Sequence, residues 1–273
     1  MRILLTGRNG QVGSELEHAL PALGELVATD RARLNLEDQD ALRRFVREAK
    51  PGLIVNAAAY NAVDKAESER ELAMRVNALA PGVLGEEAKR LGALLVHYST
   101  DYVFDGKKRS PYVESDAPNP ISHYAQTKLD GEGAVAASGC RHLILRTSWV
   151  YGPRATNFYQ LIKRKAAAGE DLQMVDDQTS VPTPADFLAA QTLALIGRDA
   201  AGLLHLVPSG QATRYEFALE LVRRMGSRSR VEAVNSDRFP TAARRPSYSV
   251  LDNRAAAHAV RASYPVWKEL LRF

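Results

Sequence analysis

Cysteine is nearly absent from this chain: Cys140 stands alone among 273 residues. One thiol allows neither an internal disulfide nor a multi-cysteine zinc site, and Cys140 reads as a small apolar residue beside a strand. Long apolar runs are missing too, since none approaches the ~20 residues that a membrane helix needs. The opening MRILLTGRNG passes at once from a short apolar run into glycines, which predicts a strand and turn rather than a secretory signal. The expected compartment is the cytoplasm, with no membrane partner. No repeat or low-complexity tract occurs, and the six histidines show no metal-ligand spacing. Charge of one sign is in small excess only: 36 Lys and Arg against 32 Asp and Glu, a net +4. The basic residues lie along amphipathic segments (Arg43, Arg44 and Arg47; Arg223 and Arg224), without a groove-reading motif. They read as solvated surface rather than a nucleic-acid interface, and a mild positive bias also suits an anionic small substrate.

What is present fits a full core, with 45% of residues hydrophobic. The runs RILLT (2–6), ELVATD (25–30), LIVN (53–56), LLVHYS (94–99) and HLILRTS (142–148) have few polar residues inside. Helical patterns alternate with them at 11–20, 37–49 and from about Glu67 to Leu91. Such alternation implies βαβ units around a buried parallel sheet. After Gly152 and Pro153 the rhythm loosens into helices near 157–168, 184–197 and 214–225, with a strand GLLHLV at 202–207. The expected fold is therefore α/β. A Rossmann-like, doubly wound parallel sheet spans residues 1–150, and a smaller substrate-binding α/β part spans 151–273, some of whose elements return to the first.

Gly7-Arg8-Asn9-Gly10-Gln11-Val12-Gly13 follows the first strand and opens the first helix. In this G-x-x-G-x-x-G spacing Gly7 permits the turn, Gly10 lets a pyrophosphate approach the backbone, and Gly13 lets helix and strand pack closely. Asp30 closes the second strand, where a carboxylate can bind a ribose 2′-hydroxyl. Arg31 and Arg33 lie just beyond it and can pair with a 2′-phosphate, so NADH and NADPH both remain open. Asn56-Ala57-Ala58-Ala59 ends the third strand, and its small residues leave room for a ligand or simply pack closely.

Tyr124 and Lys128 are at i and i+4 and share a helix face. A free tyrosine, with pKa ~10, exchanges protons poorly at neutral pH. A neighbouring ammonium is expected to lower that value, so that Tyr124 can protonate a carbonyl oxygen as hydride reaches the carbon. Thr100 closes the fourth strand, and its hydroxyl can reach the same oxygen. Trp149 and Tyr151 follow the fifth strand, where they either pack on a sugar face or join the core. Arg244 and Arg245, in TAARRPS, suit a diphosphate or plain surface solvation.

Taken together, the glycine turn, Asn56–Ala59, Ser99–Phe104 and Tyr124–Lys128 resemble the extended short-chain dehydrogenase/reductases. Within these, STDYVFDG, NAAAYNAVDKAESE (56–69), RTSWVYG (146–152) and GLLHLV resemble the dTDP-4-dehydrorhamnose reductases, over nearly the whole chain and least after about residue 225. The resemblance implies NAD(P)H-dependent reduction of the C4 ketone of a dTDP-sugar, with Thr100, Tyr124 and Lys128 as the catalytic group. It places Gly10, Gln11, Val12, Asp30, Asn35, Leu36, Ala59, Tyr60, Asn61, Tyr124 and Lys128 on the cofactor. Tyr98, Thr100, Asp101 and Trp149 are placed on the nucleotide sugar, beneath a roof formed by the loop from Thr100 to Tyr124. Some relatives hold Mg²⁺ at a homodimer contact. Glu15 fits one such position, but Asp186 stands where glutamate is usual, so no metal ligand is assigned. Asn35-Leu36 replaces the common Asp-Phe, and Ala125 a common glycine. Two other readings share the fold. One is a different nucleotide-sugar reductase, epimerase or dehydratase, although dehydratases carry Thr-Asp-Glu where this chain has Thr100-Asp101-Tyr102. The other is a non-catalytic regulatory subunit.

Overall fold

Apolar runs too short for buried helices pair as strands, and the sheet they build positions everything else. The computed structural model describes residues 1–154 and 157–272. Strand β1 (Arg2–Thr6) leads through α1 (Gln11–Ala19) to β2 (Glu25–Thr29), and α2 (Gln39–Ala49) leads to β3 (Leu53–Asn56). Helices α3 (Arg70–Met74) and α4 (Ala80–Leu91) precede β4 (Leu94–Thr100), and α5 (His123–Ala137) precedes β5 (Arg141–Thr147). There follow β6 (Val150–Tyr151), α6 (Phe158–Ala167), β7 (Leu172–Val175), β8 (Thr179–Ser180), β9 (Thr183–Pro184) and α7 (Ala185–Gly197). The last elements are β10 (Gly202–His205), β11 (Ala212–Thr213), α8 (Arg214–Arg224), β12 (Val231–Val234) and α9 (Arg254–Val260).

The main sheet runs β10-β5-β4-β3-β1-β2, and every pairing in it is parallel. Side chains alternate between its faces, as strand geometry requires. Ile3, Leu5, Val55, Val96, Leu143 and Leu145 face one core with Leu16 of α1 and Leu188 of α7. Leu4, Ile54, Leu95 and Ile144 face the other, with Leu42 of α2, Leu84 of α4 and Val135 of α5. Both faces are covered, which is why the strands read as continuous apolar runs. Their carboxyl ends are polar and in register: Thr6 pairs with Thr29 and Asn56, and Thr100 with Thr147. Strand order reverses between β1 and β3, opening a crevice at that edge.

A third core, including Tyr159 and Ile162 of α6, Met174 of β7, Phe217 and Leu221 of α8, and Trp267, lies in the later part of the chain. No helix among the described residues is long and apolar enough to cross a membrane.

Two local features differ from the sequence reading. The single helix expected from Glu67 to Leu91 is interrupted by a π-helical turn at Arg75–Leu79. Pro81 has no N–H to offer Asn77, so the hydrogen-bond ladder shifts there. Helix α5 passes so close that a Cβ on Gly131 would lie 2.1 Å from the Asn77 carbonyl. The loop after Thr100 is also no roof. Phe104 is fully buried and stacks on Tyr112 at 4.1 Å, in a small core with Val181, Val207, Val250 and Leu251. Tyr112 fixes the loop by backbone bonds to Val250 (2.8 Å) and Asp252 (2.7 Å). Its two aromatic rings bury more apolar area by packing inward than by spanning a wet cleft.

Candidate active site

A trough crosses the carboxyl ends of β1, β3, β4 and β5. At one end is a recess of about 300 Å³ lined by Gly7, Gly10, Asp30, Asn35, Leu36 and Ala57–Asn61. At the other is a cleft of about 500 Å³, lined by Gly10–Val12, Tyr98–Tyr102, Tyr124, Lys128, Thr147–Tyr151, Phe158 and Arg214, among others. Gly10, Ala57–Ala59 and Asn61 line both, so the two spaces adjoin.

The glycine turn is shaped as its spacing demands. Gly7 has φ +76°, and a Cβ there would lie 2.7 Å from the Ala58 nitrogen. Gly13 lines neither space: a Cβ on it would meet the Gly7 carbonyl at 2.0 Å, so its role is to seat α1 against the turn. Gly10 caps α1 with extended backbone and faces the trough. A chain of small residues opposite free helix N–H groups is the cradle that a dinucleotide pyrophosphate requires. The residues present therefore fit the cofactor their spacing implied. Gln11 does more than line the cleft. It donates to the Val150 carbonyl (3.2 Å) and accepts from Asn157 (2.8 Å), tying the turn to the later part of the chain.

At the far rim, the Asp30 carboxylate accepts bonds from the Arg33 N–H (3.0 Å) and Asn9 (3.2 Å), and the Arg33 bond is the main reason its pKa is held down. Arg31 lines the recess and pairs with Glu37 at 2.5 Å. Arg33 instead donates to the Ala28 carbonyl and lies over the Phe45 ring. Tyr60 donates to Glu69 at 2.6 Å, and that bond, followed by burial, pushes its phenol up to about 12.

Thr100, Tyr124 and Lys128 come together at the β4 end of the cleft. Ser122 caps α5 by accepting from the Ala125 N–H, which sets Tyr124 and Lys128 one turn apart on its buried face. Both are buried, at 8% and 2% exposure. The Lys128 ammonium donates to the Tyr98 carbonyl at 2.6 Å, and burial pulls its pKa down to about 8 against the opposing charge of Glu132. Burial likewise raises the Tyr124 pKa, opposed by a hydrogen bond with Thr100. This reverses the lowering expected from a nearby lysine: desolvation is the largest influence on the phenol, and the ammonium is aimed at a backbone carbonyl.

Other predicted residues sit as follows. The Tyr98 hydroxyl bonds Thr192 at 2.6 Å within the core, so its carbonyl is the atom engaged with Lys128. The Asp101 carboxylate accepts from Ser249 (2.5 Å), Ser180 (2.9 Å) and Thr100 (3.2 Å), while burial raises its pKa to about 6. Trp149 lines the cleft with backbone φ +39°. Tyr151 borders the cleft too, but its ring packs on Tyr159 and Phe217 at 5.1 and 5.2 Å. Arg244 is exposed, and Arg245 pairs with Asp64 at 2.7 Å; neither is among the residues lining the cleft. Asp186 pairs with Arg272 at 3.2 Å, and no cluster of three metal-ligating side chains occurs among the described residues.

Two residues escaped the sequence reading. Asn77, in the π turn, bonds both backbone groups of Tyr60 (2.8 and 3.1 Å) and the Thr127 hydroxyl (3.1 Å), pinning the wall of the recess to α5. Pro81 four residues later was the available signal. Arg214 lines the cleft between two aromatic rings, and no spacing in the sequence singles it out.

A parallel sheet with this glycine turn, and a threonine, tyrosine and lysine gathered at its carboxyl edge, defines the short-chain dehydrogenase/reductase class. Comparison with known proteins narrows it. The family model described as RmlD substrate binding domain matches residues 1–272. A curated dTDP-4-dehydrorhamnose reductase from Burkholderia thailandensis is 41% identical, over 98% of this chain and 96% of its own length. The crystal structure of a dTDP-4-dehydrorhamnose reductase from Clostridium acetobutylicum superposes with a TM-score of 0.94 at 37% identity, covering 98% of this chain and 96% of that one. One from Bacillus anthracis, solved in complex with NADP, gives 0.94 at 32% identity with the same coverage. The chain belongs to the dTDP-4-dehydrorhamnose reductase family.

Proposed function

We propose that this protein reduces the C4 ketone of dTDP-4-dehydro-6-deoxy-L-mannose to give dTDP-L-rhamnose. The observation that carries the reading is the adjacency of a dinucleotide cradle and a buried Thr100/Tyr124/Lys128 group along one sheet edge, in two spaces that share lining residues. Gly7, Gly10, Gln11, Val12, Asp30, Asn35, Leu36 and Ala59–Asn61 would hold a nicotinamide dinucleotide, which supplies the hydride when bound. Tyr124 holds the proton destined for the ketone oxygen. Its raised pKa serves that direction, because reduction needs the proton in place beforehand. Thr100 shares a hydrogen bond with the phenol and steadies the alkoxide as it forms. The buried charge of Lys128 favours the phenolate left after transfer. Solvent is kept away by the same burial that shifts both groups.

The rim admits both NADH and NADPH: Asp30 accepts ribose hydroxyls, and Arg31 can exchange Glu37 for a 2′-phosphate. An NAD(P)H oxidation assay with enzymatically made dTDP-4-dehydrorhamnose, with the product identified by NMR, tests the proposal. Cofactor oxidation giving dTDP-L-rhamnose is expected, and absence of turnover with that substrate refutes it.

A further inference from the structure

We propose that Arg214 is the cation that reads the diphosphate of the nucleotide sugar. The inference rests on the reductase reading above and adds the residue that recognises the substrate's anionic part. The Arg214 guanidinium carbon lies 4.4 Å from the centre of the Trp149 ring and 4.9 Å from that of Phe158. All three residues line the cleft. Rings close to a guanidinium fix its position, while its N–H edge stays available to partners in its own plane. The backbone beneath it is fixed as well. Arg214 opens α8, whose capping box joins Thr213 and Glu216, and the Thr213 hydroxyl donates to Asp176 at 2.6 Å.

This cation lacks an internal counter-ion among the described residues. Other arginines of the later chain are paired, Arg245 with Asp64 and Arg224 with Glu220, but none of the ion pairs there engages Arg214. Asp101, the one carboxylic acid among the residues lining the cleft, is turned to Ser180 and Ser249. Tyr102, buried and neutral, also lines the cleft, and its phenol feels the charge of both Arg214 and Arg245. A charged group held in a half-dry cleft without a partner is costly unless something anionic completes it. The planar fork suits two phosphate oxygens at once. Placement agrees with the chemistry: Tyr102, Tyr124 and Arg214 all line the cleft, and the Tyr102 ring lies 6.3 Å from that of Tyr124. Arg214 and the proton donor Tyr124 thus line one and the same cleft.

The test is calorimetric binding of dTDP and of thymidine to the wild-type protein, Arg214→Ala and Arg214→Lys, with NADPH binding measured alongside. Wild type is expected to prefer dTDP. Arg214→Ala should weaken dTDP at least ~10-fold while thymidine and NADPH are unchanged, and Arg214→Lys should recover part of the loss because it keeps the charge without the fork. Unchanged dTDP affinity in Arg214→Ala overturns the proposal. So does equal loss of dTDP and thymidine, which would make Arg214 a prop for Trp149 instead. Should wild type fail to reduce dTDP-4-dehydrorhamnose yet keep an Arg214-dependent preference for dTDP, the reductase reading falls and the anion site stands.

Discussion

Replacing Lys128 by methionine should separate what this side chain costs the fold from what it gives the reaction. Lys128 is 2% exposed and its ammonium has one hydrogen bond, to the Tyr98 carbonyl. Burial lowers its pKa from 10.5 to about 8. A depressed lysine pKa means that, between pH 8 and 10.5, the unfolded chain binds more protons than the folded one, so stability rises with pH across that window. Below pH 8 the charge is buried in full, at a cost of about 3 kcal/mol for a shift of this size. Between pH 7 and 9 the wild type should recover about 1 kcal/mol of it. Methionine has nearly the same length and no charge, so it removes this dependence along with one charged hydrogen bond worth ~1.5–3 kcal/mol. The two effects nearly offset at pH 7, and the variant should be about as stable as wild type there. It should lack the wild type's extra gain at pH 9. Turnover should meanwhile fall by ~10²-fold or more, since the phenolate left on Tyr124 loses its neighbouring charge. Urea unfolding at pH 7 and pH 9 at fixed ionic strength measures the first claim, at pH values below tyrosine ionisation. Identical pH slopes for variant and wild type would show that Lys128 keeps an ordinary pKa in the fold and would refute the cost assigned to its buried charge.

Tyr124→Phe should lower kcat by ~10²-fold or more while leaving the cofactor dissociation constant nearly unchanged; near-normal kcat would remove Tyr124 from the mechanism. Asp30→Ala should weaken NADH more than NADPH, because the carboxylate accepts ribose hydroxyls and repels a 2′-phosphate. Dissociation constants from fluorescence titration decide it. Equal losses for both cofactors would leave Asp30 as a cap on the Arg33 turn, whose N–H it already accepts at 3.0 Å.

The sheet was legible because its strands are buried on both faces and so carry the simplest of patterns. The glycine turn was legible because its spacing answers to backbone geometry, visible here as the 2.0 Å approach of a Gly13 Cβ to the Gly7 carbonyl. What the sequence hid is of another kind. Strands β6, β8, β9 and β11 are two residues each and have no period to detect. Arg245 meets Asp64 across 181 positions, and nothing local distinguishes it from Arg214, which meets two rings instead. Local pattern located the tyrosine and lysine, but the direction of the tyrosine's pKa shift depends on burial, which only the tertiary structure supplies.

The same contacts bear on why this cleft is suited to reduction rather than dehydration. Expelling water from a sugar needs a carboxylic acid and a base free to face the substrate. In this chain Asp101 remains, but three hydroxyls saturate its carboxylate, and two of them, from Ser180 and Ser249, lie in the later part of the chain. Its raised pKa of about 6 reflects a group held as a buried junction, with hydrogen bonds partly offsetting the cost of burial. The next position holds the phenol of Tyr102, whose pKa burial raises further, so it stays neutral at pH 7. To act as a base, Asp101 would first have to give up hydrogen bonds from Thr100, Ser180 and Ser249, and Tyr102 is protonated at neutral pH. The mobile proton left at the β4 end is that of Tyr124, beside Thr100 and above a lysine that burial has made reluctant to hold its charge. A site whose carboxylate is tied to hydroxyl donors, and whose tyrosine keeps its proton for an oxygen, is matched to a ketone receiving hydride.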